Sequence, residues 1–102
     1  MKVVITPEAE HDLESIGDFI ARDNPPRAET FVSELVGRCL KLADFPERFP
    51  VFERFAKAGV RRCLHGRYLI FYRTEPGLVR ILHILHGASD YGAMFEGLDP
   101  EP

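Results

Sequence analysis

Residues 59–87 read GVRRCLHGRYLIFYRTEPGLVRILHILHG, and this stretch decides the fold. It predicts three consecutive strands, 60–64, 68–74 and 78–86, joined by two tight turns. His65-Gly66 is a two-residue connection of hairpin type. Pro76-Gly77 supplies the second turn, proline fixing φ and glycine free to take positive φ. The last two strands are apolar on both parities: Tyr68, Ile70 and Tyr72 alternate with Leu69 and Phe71, and Val79, Ile81 and Leu85 with Leu78, Leu82 and Ile84. Strands of that kind are central in a sheet and covered on at least one face. The cover must come from earlier in the chain.

Residues 2–5 form a short β-branched strand. Thr6 then offers an N-cap hydroxyl, Pro7 suits the first helical position, and Glu8 and Glu10 favour the positive end of a helix dipole. Ala9, Leu13, Ile16 and Ile20, with Phe19 alongside, make one apolar helix face running to about Arg22. Asp12, Glu14 and Asp18 lie off that face and read as solvated. Asp23-Asn24-Pro25-Pro26 breaks the pattern, and Asn24 caps a second helix over 25–43 with the stripe Ala28, Phe31, Val32, Leu35, Cys39 and Leu42. Two amphipathic helices with a short connection make an antiparallel hairpin. Residues 44–58 are irregular, because Pro46 and Pro50 forbid a regular helix. Phe45, Phe49, Phe52 and Phe55 in this stretch read as anchors pinning a loop to the core edge, with a partner-facing aromatic patch as the alternative. The expected architecture is α+β, β-α-α-β-β-β, a helical hairpin packed on an antiparallel-rich sheet. It occupies one domain, residues 1–96, followed by a frayed acidic end at 97–102.

A chain of 102 residues supports a single hydrophobic core. No apolar run approaches a membrane span, and the opening MKVVITPEAE lacks the apolar centre of a signal peptide. The expectation is a soluble cytoplasmic protein with no membrane partner. Cys39 and Cys63 are expected as buried free thiols rather than a disulfide framework. The net charge of −3 hides a segregation: residues 54–80 hold seven Lys/Arg against Glu75 alone, whereas 1–53 and 81–102 are acidic. A basic sheet suggests an anionic partner; the bland alternative is that its arginines pair with the chain's own helices. His83 and His86, three apart on a strand, face opposite sides and cannot share an ion without a bulge. No metal site and no cofactor are expected.

The segments VRRCLHGRYLIFYR and VRILHILHGASDY, the helix pattern ITPEAEHDLESIGDFI and the FPERF element at 45–49 together resemble the ParE branch of the ParE/RelE superfamily of toxin–antitoxin toxins, over essentially the whole chain to about residue 95. The resemblance implies a bacterial toxin of the kind found in plasmid-stabilisation systems. It implies a cognate antitoxin, ParD-like or another small DNA-binding protein, whose C-terminal segment wraps the toxin. It also implies growth inhibition by binding DNA gyrase, without catalysis and without sequence-specific nucleic-acid binding by the chain alone. Two departures stand out. Ser89 occupies the place where the family commonly has arginine in an HGARD-like segment, and the overall charge is acidic. Ser89, together with the acidic tail, supports a third reading, a module that binds antitoxin but has lost its toxicity.

The RelE branch is associated with messenger-RNA cleavage on the ribosome. That chemistry needs a base, an acid and cationic stabilisation of a phosphorane-like state. On that reading His86, Tyr91 and Arg80 would carry it. On the binding reading no residue is catalytic, and Arg61, Arg73, Arg80, His86, Asp90 and Tyr91 face target or antitoxin. Arg61 and Arg62 are adjacent on a strand and must leave opposite faces. Arg62 shares parity with Val60 and Leu64, an apolar pair, which places it under the helices in a structural role. Arg61 then falls on the partner face.

Overall fold

The computed structural model describes residues 1–88. Expectations at Ser89, Asp90, Tyr91 and the 97–102 end lie outside the described residues. The chain runs β1 (Lys2–Ile5), α1 (Pro7–Ala21), α2 (Pro25–Lys41), β2 (Arg61–His65), β3 (Tyr68–Glu75) and β4 (Leu78–His86), with a 3₁₀ segment at Glu53–Ala58 between α2 and β2. The expected caps are in place. Ala9 N–H donates to Thr6 Oγ1 at 3.2 Å and Arg27 N–H to Asn24 Oδ1 at 3.2 Å. Gly66 and Gly77 take φ of 60° and 75°, the left-handed values that their turns demand.

The sheet order is β1-β4-β3-β2, so β3 and β4 are indeed central. β1 runs parallel to β4, and the other two pairings are antiparallel. The helical hairpin covers one face. Leu13, Ile16, Leu35 and Cys39 pack against Cys63, Ile70, Tyr72 and Ile81 in one cluster, with Phe31 half-buried beside them. Each leucine or isoleucine among them contributes about 1.5–3 kcal/mol when fully buried. The opposite face has its own smaller cover: Phe52, Phe55 and Val60 close over Phe71 and Leu85. Two of the four recurring phenylalanines are therefore the expected anchors and Phe49 is half-buried, but Phe45 stays 70% exposed.

Both-parity apolarity in β4 has a second cause. Phe71 pairs with His83 while Tyr72 pairs with Ile81, so Leu82 is an extra residue in the ladder. This bulge resets the alternation and returns Ile84 to the helix-side core that also holds Ile81, three positions earlier.

β4 outlasts β1. The shared register ends at Ile5 opposite Ile81, and beyond it the backbone of β4 must find other partners. Thr6 N–H donates to Ile81 O at 3.2 Å. Its buried hydroxyl donates to the same carbonyl at 2.7 Å and lies 3.2 Å from Leu82 O. Asp12 Oδ2 accepts from Ile84 N–H at 2.9 Å and lies 2.8 Å from His83 Nδ1. The expectation that Asp12 is solvated is thus corrected. Its helix turns it toward β4, where an unpaired strand edge needs an acceptor.

Thr6→Val keeps the side-chain shape but removes both the cap and the donor to Ile81 O. It is expected to cost about 2–4 kcal/mol in a urea melt, comparable to the ~2–5 kcal/mol expected for Leu35→Ala. A Thr6→Val loss under 1 kcal/mol would show that the β4 edge is satisfied in another way.

Candidate functional site

Strand β2 decides which side of the sheet each arginine serves. Arg61 pairs with Tyr72 and Arg62 with Phe71, and direct cross-strand partners share a face. Tyr72 belongs to the helix-side core and Phe71 to the opposite one. The expected division is therefore reversed. Arg61 is half-buried, and its Nη1 donates to Phe49 O at 2.7 Å and Glu47 O at 3.3 Å. Tyr72 hydroxyl donates to Pro46 O at 2.9 Å, and burial raises its pKa. Together they fasten the 46–49 loop. Arg62 is exposed, its guanidinium 4.9 Å from the Phe52 ring. Val60 and Arg62 do share a side, as their parity requires. That side, however, is closed by the 3₁₀ segment and not by the helices.

Arg73 and Arg80 are cross-strand neighbours on this same non-helical face, and both are occupied. Arg80 Nε and Nη2 donate to the two Glu75 oxygens at 2.7 and 3.1 Å, and Arg73 Nε donates at 3.0 Å. Those bonds, Arg80's first and then Arg73's, hold the Glu75 carboxyl down to about 2. His86 lies at the far end of β4, six residues from Arg80 and so about 20 Å along the strand. It meets the Tyr68 ring edge-on at 5.3 Å, its Nδ1 accepts from Ala88 N–H at 3.1 Å, and it lines a cleft with Phe19 and Arg67. The residues proposed for nuclease chemistry are thus not gathered: Arg80 and His86 are apart, and Tyr91 lies outside the described residues, as does Asp90.

What the structure does gather is an exposed strand edge. Phe52 N–H donates to Val60 O and Arg62 N–H to Pro50 O, so the even-numbered backbone groups of β2 point outward. By the two-residue period, Leu64 presents its own N–H and C=O to the same edge beyond the last of these bonds. Its side chain is 63% exposed opposite half-buried Leu69. Arg62, Leu64, Leu69 and Leu82 form a mixed cationic and apolar surface beside an open edge, the form that strand-adding partners use.

Comparison with known proteins supplies the family. The model of the ParE toxin of the type II toxin–antitoxin system parDE matches residues 3–91. The chain belongs to the ParE toxin family. Among solved structures it is similar to a chain of the chromosomal ParDE toxin–antitoxin system from P. aeruginosa, with TM-score 0.73 and 22% identity over 84% of this chain and 95% of that one. It is also similar to a chain of the toxin–antitoxin complex RelBE2 from Mycobacterium tuberculosis, with TM-score 0.63 and 26% identity over 83% and 95%. The search of curated proteins returned no match. The α+β fold of two helices on a four-stranded mixed sheet is that of the ParE and RelE toxins.

In this ParE-family chain the Glu75 clasp and the Asp12–His83 pair were not singled out by sequence reading. The clasp had a local signal: Arg73, Glu75 and Arg80 flank one tight turn at spacings that put all three on one face. Asp12 to His83 spans 71 positions and has no local signal.

Arg61→Ala is expected to lose about 1.5–3 kcal/mol by releasing two carbonyls of the loop, and Arg62→Ala about 0.5 kcal/mol; equal losses in thermal melts would undo the face assignment. The depressed Glu75 carboxyl stabilises the fold at pH values above its ordinary 4.5, and that contribution disappears as pH falls toward about 2. Stability of Glu75→Gln should accordingly fall less steeply than the parent's across that window.

Proposed function

We propose that this ParE-family toxin inhibits growth in the bacterial cytoplasm by binding DNA gyrase, as a non-catalytic inhibitor, and that a ParD-like antitoxin neutralises it. The observation that supports binding over cleavage is the Glu75 clasp. Arg73 and Arg80 share one carboxylate of their own sheet, which offsets one of their two charges and takes up three of the N–H donors a phosphorane would need. The antitoxin's C-terminal segment adds along the β2 edge at Leu64, burying Leu69 and setting a carboxylate against Arg62. Arg62, Leu64, Leu69 and Leu82 are its contacts; His86, Asp90 and Tyr91 face the target. The similarity to a RelBE2 chain keeps ribosome-dependent messenger-RNA cleavage as the second reading, and Ser89 keeps the non-toxic module as the third.

Expression of the full chain is expected to arrest growth, and purified chain to block gyrase supercoiling without cutting transcripts. His86→Ala and Tyr91→Phe should leave arrest within a few-fold, whereas a nuclease using either group as acid or base would lose roughly 10²–10⁴-fold. Transcript cleavage lost on that scale would establish the second reading, and no arrest at all would establish the third.

A further inference from the structure

A second cationic feature lies outside this surface, where α2 gives way to the 44–49 loop. Arg38 and Lys41, in the last turn of α2, and Arg48 in the loop line one cleft of about 250 Å³, with Asp44 as its acidic member. None of the three cations makes an ion pair among the described residues. The Arg38 and Arg48 guanidiniums lie 5.3 and 5.6 Å from the same Phe49 ring, and Arg38 Nε is buried without a hydrogen-bond partner. The carbonyl end of a helix favours cations, which accounts for Arg38 and Lys41 as structural residues. It does not account for Arg48 or for the unpartnered Nε.

The cleft shares Asp44, Phe45 and Arg48 with an adjoining, more apolar cleft of about 550 Å³ that Pro46 and Glu47 complete. Phe45, 70% exposed, stands between the two. The loop is held by Arg61 and Tyr72 through the carbonyls of residues 46, 47 and 49, so the arrangement is preformed. Three cations against Asp44 and Glu47 leave one net positive charge over the two clefts, and Arg38 and Lys41 line only the smaller one, which makes that end the place for an anionic phosphate. An exposed ring and a proline beside them offer a shelf on which a planar base stacks.

We propose that this two-part cleft binds a nucleotide unit, with the phosphate held by Arg38, Lys41 and Arg48 and the base on Phe45. Phosphate and base together are the recognised chemistry, whether in a free mononucleotide or in a single-stranded nucleic acid. The site uses none of the residues that carry the gyrase proposal, so each can fail alone.

The test is calorimetric titration of the full chain with AMP, inorganic phosphate, a short oligothymidine and polyglutamate. AMP binding that weakens at least about tenfold in Arg48→Ala and in Arg38→Gln supports the site with a free nucleotide. Oligothymidine bound far more tightly than AMP, with the same sensitivity and a salt slope reduced by about one per arginine removed, supports it with a nucleic-acid source. Phe45→Ala should weaken AMP and leave inorganic phosphate unchanged. Arg48 is exposed, so Arg48→Ala remains informative if the Arg38 variant melts early. Absence of saturable nucleotide binding at millimolar concentration, indifference to Arg48→Ala, or tighter binding of polyglutamate would overturn the proposal.

Discussion

A buried strand that runs past its neighbour cannot leave its backbone unpaired. β4 has nine residues and β1 four, so the second half of β4 must be satisfied by something other than a strand. Thr6 and Asp12, both from the start of the next element, supply it. The positions of the layers follow from that requirement. Thr6 ends β1, caps α1 and bonds to Ile81, so helix and sheet are joined at one residue. Asp12, nearly two turns on, fixes the rotation of α1 about its axis. Ala9, Leu13 and Ile16 then face the sheet, and α2 packs against the remaining side of α1 with Leu35 and Cys39 in the same core.

Much of this was legible in order and little of it in depth. Strands, helices and caps follow local rules: Thr6-Pro7 and Asn24-Pro25 start helices, Pro76-Gly77 turns a hairpin, and the i, i+3, i+4 stripes end where the prolines begin. Side-chain parity told correctly that Arg61 and Arg62 part company. Parity cannot say which layer lies on which side. The 3₁₀ segment decides that by closing the second face with Phe52 and Phe55, and no pattern in residues 44–58 announces where they will dock. The bulge at Leu82 was hidden for a related reason, since a strand apolar on both parities reads the same with or without it.

The charge segregation also changes meaning in three dimensions. The basic stretch looked like a single anion-seeking surface. Arg61 instead serves carbonyls of the chain's own loop, and Arg73 and Arg80 serve Glu75, the one acid in the stretch. The pairing is with the sheet itself and not with the helices. Exposed cations remain at Arg62, beside an open strand edge, and at Arg67, in the turn beside the His86 cleft. The surface left to a partner is more apolar than the sequence suggested.

Cys39 on α2 and Cys63 on β2 are both fully buried free thiols. Burial, reinforced by the neighbouring Cys63, pushes the Cys39 thiol up to about 12, so it is inert while the helix stays on the sheet. Its reaction with a small alkylating agent then counts openings of that interface and little else. The chain carries a built-in clock for the separation of its two layers, readable by mass at neutral pH with no added label site.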